Sequence, residues 1–207
     1  MHQLQKNTAH PLLVMWLVWL TLPTKTSYAQ ADTTLLAPQI IKEEMLGLFF
    51  GKQIRAFVDK SNQMDLETVK KQPFLPLGKK YEPQYLKLGV TTWYRWIIKS
   101  ELTQNEELLL GLGNISKLTI YVEYADGRVV IKNSGIHIPD SSRDLSFYNG
   151  AVKLFIPKGE PVRLWIKVQA MESGQLIFFR LLKFDKAILD LGHFNFAALL
   201  QGALWMM

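Results

Sequence analysis

The sequence predicts an all-β chain arranged as an antiparallel sandwich or barrel, and three observations carry that expectation. From Leu88 to Lys183, short runs of β-branched and aromatic residues recur with turn signals between them. Helical periodicity is nearly absent over the same interval. The densest run, Leu88-Gly89-Val90-Thr91-Thr92-Trp93-Tyr94-Arg95-Trp96-Ile97-Ile98, alternates so that Tyr94, Trp96 and Ile98 form a wholly apolar face while Trp93, Arg95 and Ile97 share the opposite one. Such a strand is central: its apolar face belongs in the core, and its other face is either covered or binds something.

At 207 residues and 48% hydrophobic content, one full core is affordable once the terminal segments are set aside. Lys6, the apolar run Leu12 to Leu20, Pro23 and Ala29-Gln30-Ala31 read as the basic, apolar and small-residue parts of a signal peptide, residues 1–31, cut after Ala31 or Ala29. The alternative, an uncleaved anchor, is disfavoured because the apolar run falls well short of the roughly 20 residues that span a bilayer. Removing Lys6 and Lys25 with this leader takes the formal charge from +6 to +4. The excess is mild and spread along the chain, so a nucleic-acid partner is not expected. Cysteine is absent, which excludes disulfides, thiolate chemistry and zinc sites that need Cys.

Residues 32–44 read as a linker. Leu48-Phe49-Phe50 and Gln53 to Val58 are short strand-like pieces around Gly51. Asp65 to Lys71 has an Asp at the N-cap, an acidic first turn, basic residues in the last turn and a Gln72-Pro73 stop, and predicts one short helix. Pro73, Pro76, Gly78 and Pro83 predict a loop into the central strand. Beyond it, Leu108 to Leu112 is a strand. Leu118, Ile120, Val122 and Tyr124 alternate with Thr119, Tyr121 and Glu123, and Asp126-Gly127 turns that strand back into Val129-Val130-Ile131. Ala151 to Ile156, Val162 to Val168 and Leu176 to Leu182 complete the strands of a domain running from 45 to 183. After Lys183 comes an amphipathic stretch and then the apolar segment 194–207. At fourteen residues it is too short to span. It reads either as the start of a truncated first membrane helix or as a helix or strand packed on the sandwich.

The inventory for catalysis is poor, and no enzyme, cofactor or metal is expected. His137, flanked by Ile136 and Ile138, reads as a surface histidine; an active site would need it beside a Ser and a carboxylate. Glu43-Glu44 and Glu106-Glu107 are adjacent, diverge in an extended chain and read as solvated. Gly111-Leu112-Gly113 lacks the third glycine and the helix that dinucleotide binding requires. Asp140-Ser141-Ser142-Arg143-Asp144 offers oxygens to calcium, but the arginine in its middle favours a hydrogen-bonded loop. Binding is better supplied. Trp93, Arg95, Tyr121, Arg163 and Trp165 share sheet faces where aromatic rings and cations suit a small-molecule or carbohydrate ligand; the alternative is that the two Trp are core, with arginines snorkelling over them.

Taken in order, Gly51, Asp59, the helix ending in Phe74-Leu75-Pro76-Leu77, Leu88-Gly89 with Trp93-Tyr94-Arg95-Trp96, Leu118 to Tyr121, Gly135 with Pro139 and Arg143, and Arg163 to Val168 carry a resemblance. The chain resembles, over roughly Met45 to Lys183, the second type of extracellular domain of bacterial seven-transmembrane receptors with diverse intracellular signalling modules. The family's usual Gly-Asp appears here as Gly135-Ile136. The resemblance implies a jelly-roll sandwich akin to carbohydrate-binding modules, exported and held at the periplasmic or extracellular face of the membrane. It would sense a ligand and signal through seven helices to a cytoplasmic output domain, within a receptor that can be a homodimer. It also places Arg143 at the family's recurring Arg, the first candidate for a ligand contact, the alternative being a structural Arg that satisfies loop carbonyls, and makes the apolar segment the membrane attachment. The competing class is a structural sandwich of the cell envelope that docks onto a protein and takes no small molecule.

Overall fold

The computed structural model describes residues 37–77, 84–104, 106–146 and 150–187, which fall in one compact unit. Both the leader and the apolar segment 194–207 lie outside the described residues. Among those described, no helix is long and apolar enough to cross a membrane. The elements are β1 (Gln39–Ile41), β2 (Phe49–Phe50), β3 (Arg55–Asp59), α1 (Leu66–Lys70), β4 (Leu75–Pro76), β5 (Gln84–Tyr85), β6 (Thr91–Ser100), β7 (Glu106–Gly111), β8 (Lys117–Glu123), β9 (Val129–Ser134), β10 (Ala151–Ile156), β11 (Pro161–Gln169), β12 (Leu176–Ile177) and β13 (Phe179–Lys183).

Two separate sheets form, so the choice left open between sandwich and barrel falls to the sandwich. The larger runs β4-β3-β6-β11-β8-β9, with β1 added to β6, and the smaller runs β10-β7-β13-β2; β5 and β12 make a small ribbon of their own. All ladders are antiparallel except β1 on β6. The central strand predicted from its alternation is β6, which pairs with β11 over Thr91–Lys99 on one edge. Its other edge is shared: β3 takes Thr91–Arg95 and β1 takes Ile98–Ser100. Three short strands went unpredicted. β1, β4 and β5 are two or three residues long, too short for alternation to register.

One apolar cluster fills the space between the sheets. Tyr94, Trp96, Ile98, Ile120 and Ile166 from the larger sheet meet Leu108, Leu110, Leu154, Phe179 and Leu181 from the smaller. Phe179 links them, edge-on to Tyr94 at 5.2 Å and to Trp96 at 6.2 Å between ring centres. Burial pushes the Tyr94 phenol well above its usual pKa. Of the glutamates read as solvated, Glu43, Glu106 and Glu107 are ion-paired. Lys183 bridges Glu43 and Glu106, whose hydrogen bonds, Glu43 first, raise the lysine's pKa, and Glu107 pairs with Lys153 at 3.1 Å. Register, which places Lys153 two residues from the partner of Glu107, makes that contact and is invisible to composition.

Candidate functional site

The outer face of the larger sheet is ordered in rows by the register. Arg55, Arg95, Trp165, Tyr121 and Ile131 lie side by side across five strands, and Phe57, Trp93, Lys167, Thr119 and Asn133 form the next row. In the other direction, Ile97, Arg163, Glu123 and Val129 make a third.

A cover lies over the first two rows. Val69 of α1 and Phe74 just after it are buried against Trp93 and Trp165, with Phe57, Met64, Leu66 and Tyr121 at the margin. Phe74 meets the Trp165 ring at 5.7 Å, and the Arg95 guanidinium sits 5.5 Å over Phe74 and 5.8 Å over Trp165. Tyr121 stacks on Trp93 at 5.9 Å, and the Lys167 ammonium lies 5.2 Å over that indole.

Local sequence explains why the helix lands here. Asp65 caps α1 by accepting from the Thr68 amide at 2.8 Å, as its position predicted. Before it, the buried Asp59 accepts from the Ser61 hydroxyl at 2.6 Å and from the amides of Ser61, Asn62 and Met64. Burial alone would raise the Asp59 pKa; those hydrogen bonds, the Ser61 hydroxyl foremost, outweigh it and hold the carboxyl below its ordinary value. Asn62, at φ +60°, then donates to the Gly89 carbonyl and accepts from the Thr91 amide. The knot thereby fastens the β3–α1 connection to the start of β6.

Of the residues the sequence singled out, the structure brings Trp93, Arg95, Tyr121 and Trp165 together on this face. Trp93 is 0% and Trp165 5% exposed, so both take the core role, while Arg95 and Tyr121 are half-buried. Arg143 lies elsewhere, in the loop after β9. Its Nε donates to the Ile138 carbonyl at 2.7 Å, one terminal nitrogen to the Ile136 carbonyl at 3.2 Å, and the other pairs with Asp140 at 2.8 Å. With a side chain only 12% exposed, Arg143 ties its own loop together. Gly135 opens that loop at φ +119°, where a Cβ would lie 2.6 Å from the Ser116 carbonyl oxygen. Asp144 completes it by pairing with Lys132 and accepting from the Lys153 amide. The Asp-rich stretch is therefore a hydrogen-bonded loop. His137 is 40% exposed and faces Glu172 at 3.1 Å.

The third row is open. Ile97, Arg163 and Glu123 floor a groove of about 520 Å³, walled by Ala37 and Pro38 ahead of β1, by Pro161, and by Tyr124, Ala125 and Gly127 of the β8–β9 turn. Glu123 was not foreseen as a site residue. Alternation put it on the outer face with Tyr121, but only the β8–β11 register sets it opposite Arg163. One carboxylate oxygen pairs with Arg163 at 3.2 Å; the other accepts from the Trp165 indole N–H at 3.0 Å and lies 3.8 Å from the Lys70 ammonium on α1. Glu123 is thus fixed in place by the core of the cover while its side chain remains 19% exposed, and Arg163 is 49% exposed.

A two-sheet antiparallel β domain with an open groove on one sheet face, floored by a charged pair, is a β-sandwich. The model of the 7TMR-DISM extracellular 2 domain matches residues 51–181, well over half of the chain, and the chain belongs to that family. The match lies within the interval over which the resemblance was expected. Membership in a family of extracellular receptor domains implies a periplasmic or extracellular location. A search of the curated proteins found no match.

Proposed function

We propose that this chain is the ligand-sensing extracytoplasmic domain of a seven-transmembrane signalling receptor, without catalytic activity, and that the groove floored by Ile97, Arg163 and Glu123 is where it takes a small molecule. The observation that carries this reading is the groove itself. It has the size of small-molecule sites and a fixed charged pair in an otherwise apolar lining. The strand orders β6-β11-β8-β9 and β2-β13-β7-β10 on facing sheets support a jelly roll. Binding would shift the packing of the segment that leaves β13 toward the membrane, within a receptor that can act as a homodimer. The expectation of a carbohydrate ligand rested on aromatic faces with charged groups beside them and on the resemblance, and the burial of Trp93 and Trp165 takes away the two indole faces from that support. A docking module remains the second reading, favoured by edge strand β9, where Val129 and Ile131 are exposed.

A thermal-shift screen of the full chain tests the choice, using saccharides, amino acids and cell-envelope fragments with Arg163→Gln alongside. Stabilisation by one ligand class that is lost in the variant is expected, because a molecule binding only the native state raises its stability. A folded protein that no class stabilises would favour docking.

A further inference from the structure

We infer that the groove takes a zwitterion, specifically an α-amino acid with an apolar side chain; this rests on the reading of the groove as the ligand site. Arg163 and Glu123 sit side by side in the floor with their charged atoms 3.2 Å apart. That separation matches an ammonium and a carboxylate borne on one carbon atom, and not charges at the two ends of a longer peptide.

The chemistry of each partner fits. Arg163 presents a half-exposed guanidinium, whose fork matches a carboxylate in two parallel hydrogen bonds. Glu123 accepts from Trp165 and Arg163, and a carboxylate offers about four acceptor positions, so two remain, enough for an ammonium donor even with Lys70 nearby. A fully anionic ligand would meet the Glu123 carboxylate, and a cationic one would meet Arg163 and Lys70, 3.8 Å from the same carboxylate. A ligand with both charges offers each member of the pair an opposite charge. Ile97, Pro38 and Pro161 then offer the ligand's side chain an apolar surface. A sugar would find no open aromatic face here: Tyr124 is mostly buried, with the Arg128 guanidinium 4.5 Å over its ring.

The test is calorimetric titration of the full chain with L-leucine, L-leucine amide, N-acetyl-L-leucine, glycyl-L-leucine and glucose. L-leucine is expected to bind at least about tenfold more tightly than either singly charged derivative, each of which loses one charge-assisted pair. Arg163→Gln, at an exposed position, is expected to weaken L-leucine by a similar factor while the far-ultraviolet circular dichroism stays unchanged. Equal binding of leucine and a blocked derivative would overturn the zwitterion and leave the groove standing, as would glucose or glycyl-L-leucine binding that is lost in Arg163→Gln. Leucine binding indifferent to Arg163→Gln would overturn the placement. No binding by any of the five, in a folded protein, would overturn the zwitterion; the groove reading itself falls only if the wider screen is silent as well.

Discussion

The two sheets wear different covers on their outer faces. Over the larger sheet, α1 and Phe74 close on Trp93 and Trp165 and are pinned by polar knots at Asp59, Asn62 and Asp65, while one row is left open around the Glu123–Arg163 pair. Over the smaller sheet, Leu109 and Ala151 are covered by Leu145 and by Ala187, which comes from the helical turn at 184–187 as the chain leaves β13. Phe184 of that turn carries the Lys153 ammonium 5.0 Å over its ring. The first face thus combines an apolar base with a charged opening. The second is an apolar seat for the departing chain. The close-packed core of Trp96, Tyr94 and Phe179 between them resists independent displacement of either sheet.

Truncation on the first face is expected to cost most. Trp93→Ala should destabilise by about 3–5 kcal/mol in urea unfolding, since it empties a fully buried site beneath α1. Leu145→Ala on the second face should cost about 2 kcal/mol and also speed proteolysis near residue 187. If Leu145→Ala left cleavage there unchanged, the seat would not be holding the departing chain.

Asp59→Ala should cost about 1–3 kcal/mol through the loss of buried hydrogen bonds. The same carboxylate sets an acid limb. Its pKa is depressed in the folded state, so its contribution is present above the unfolded value near 4 and is lost as pH falls through the folded value. Urea midpoints of the parent should fall as the pH drops below about 5, and less steeply in Asp59→Asn. Smallest of all, Arg143→Met should cost about 1–2 kcal/mol from its loop contacts and leave ligand affinity unchanged, in contrast to Arg163→Gln.

Much of this comparison was legible in the chain and part was not. Alternation alone assigned Tyr94, Trp96 and Ile98 to the core and Trp93 and Arg95 to the opposite face, because a strand's period is strict. Asp65 announced α1 through its capping chemistry. Where α1 would land was hidden, since that depends on Asn62 reaching Gly89 and Thr91, 27 and 29 residues away. Glu123 was hidden for a related reason: its partner Arg163 is 40 residues distant and is set only by register. Arg143 was the converse case. The resemblance offered it as a ligand contact, with a structural role satisfying loop carbonyls as the alternative, and its donors go to the Ile136 and Ile138 carbonyls.

Hydrogen exchange of the full chain with and without saturating L-leucine tests the central claim most directly. Slowed exchange is predicted at Glu123 to Arg128, at Pro161 to Leu164 and in α1, where Lys70 reaches the Glu123 carboxylate. Protection confined to the loop of Arg143 or to the smaller sheet would contradict the account, because the ligand would then sit away from the groove.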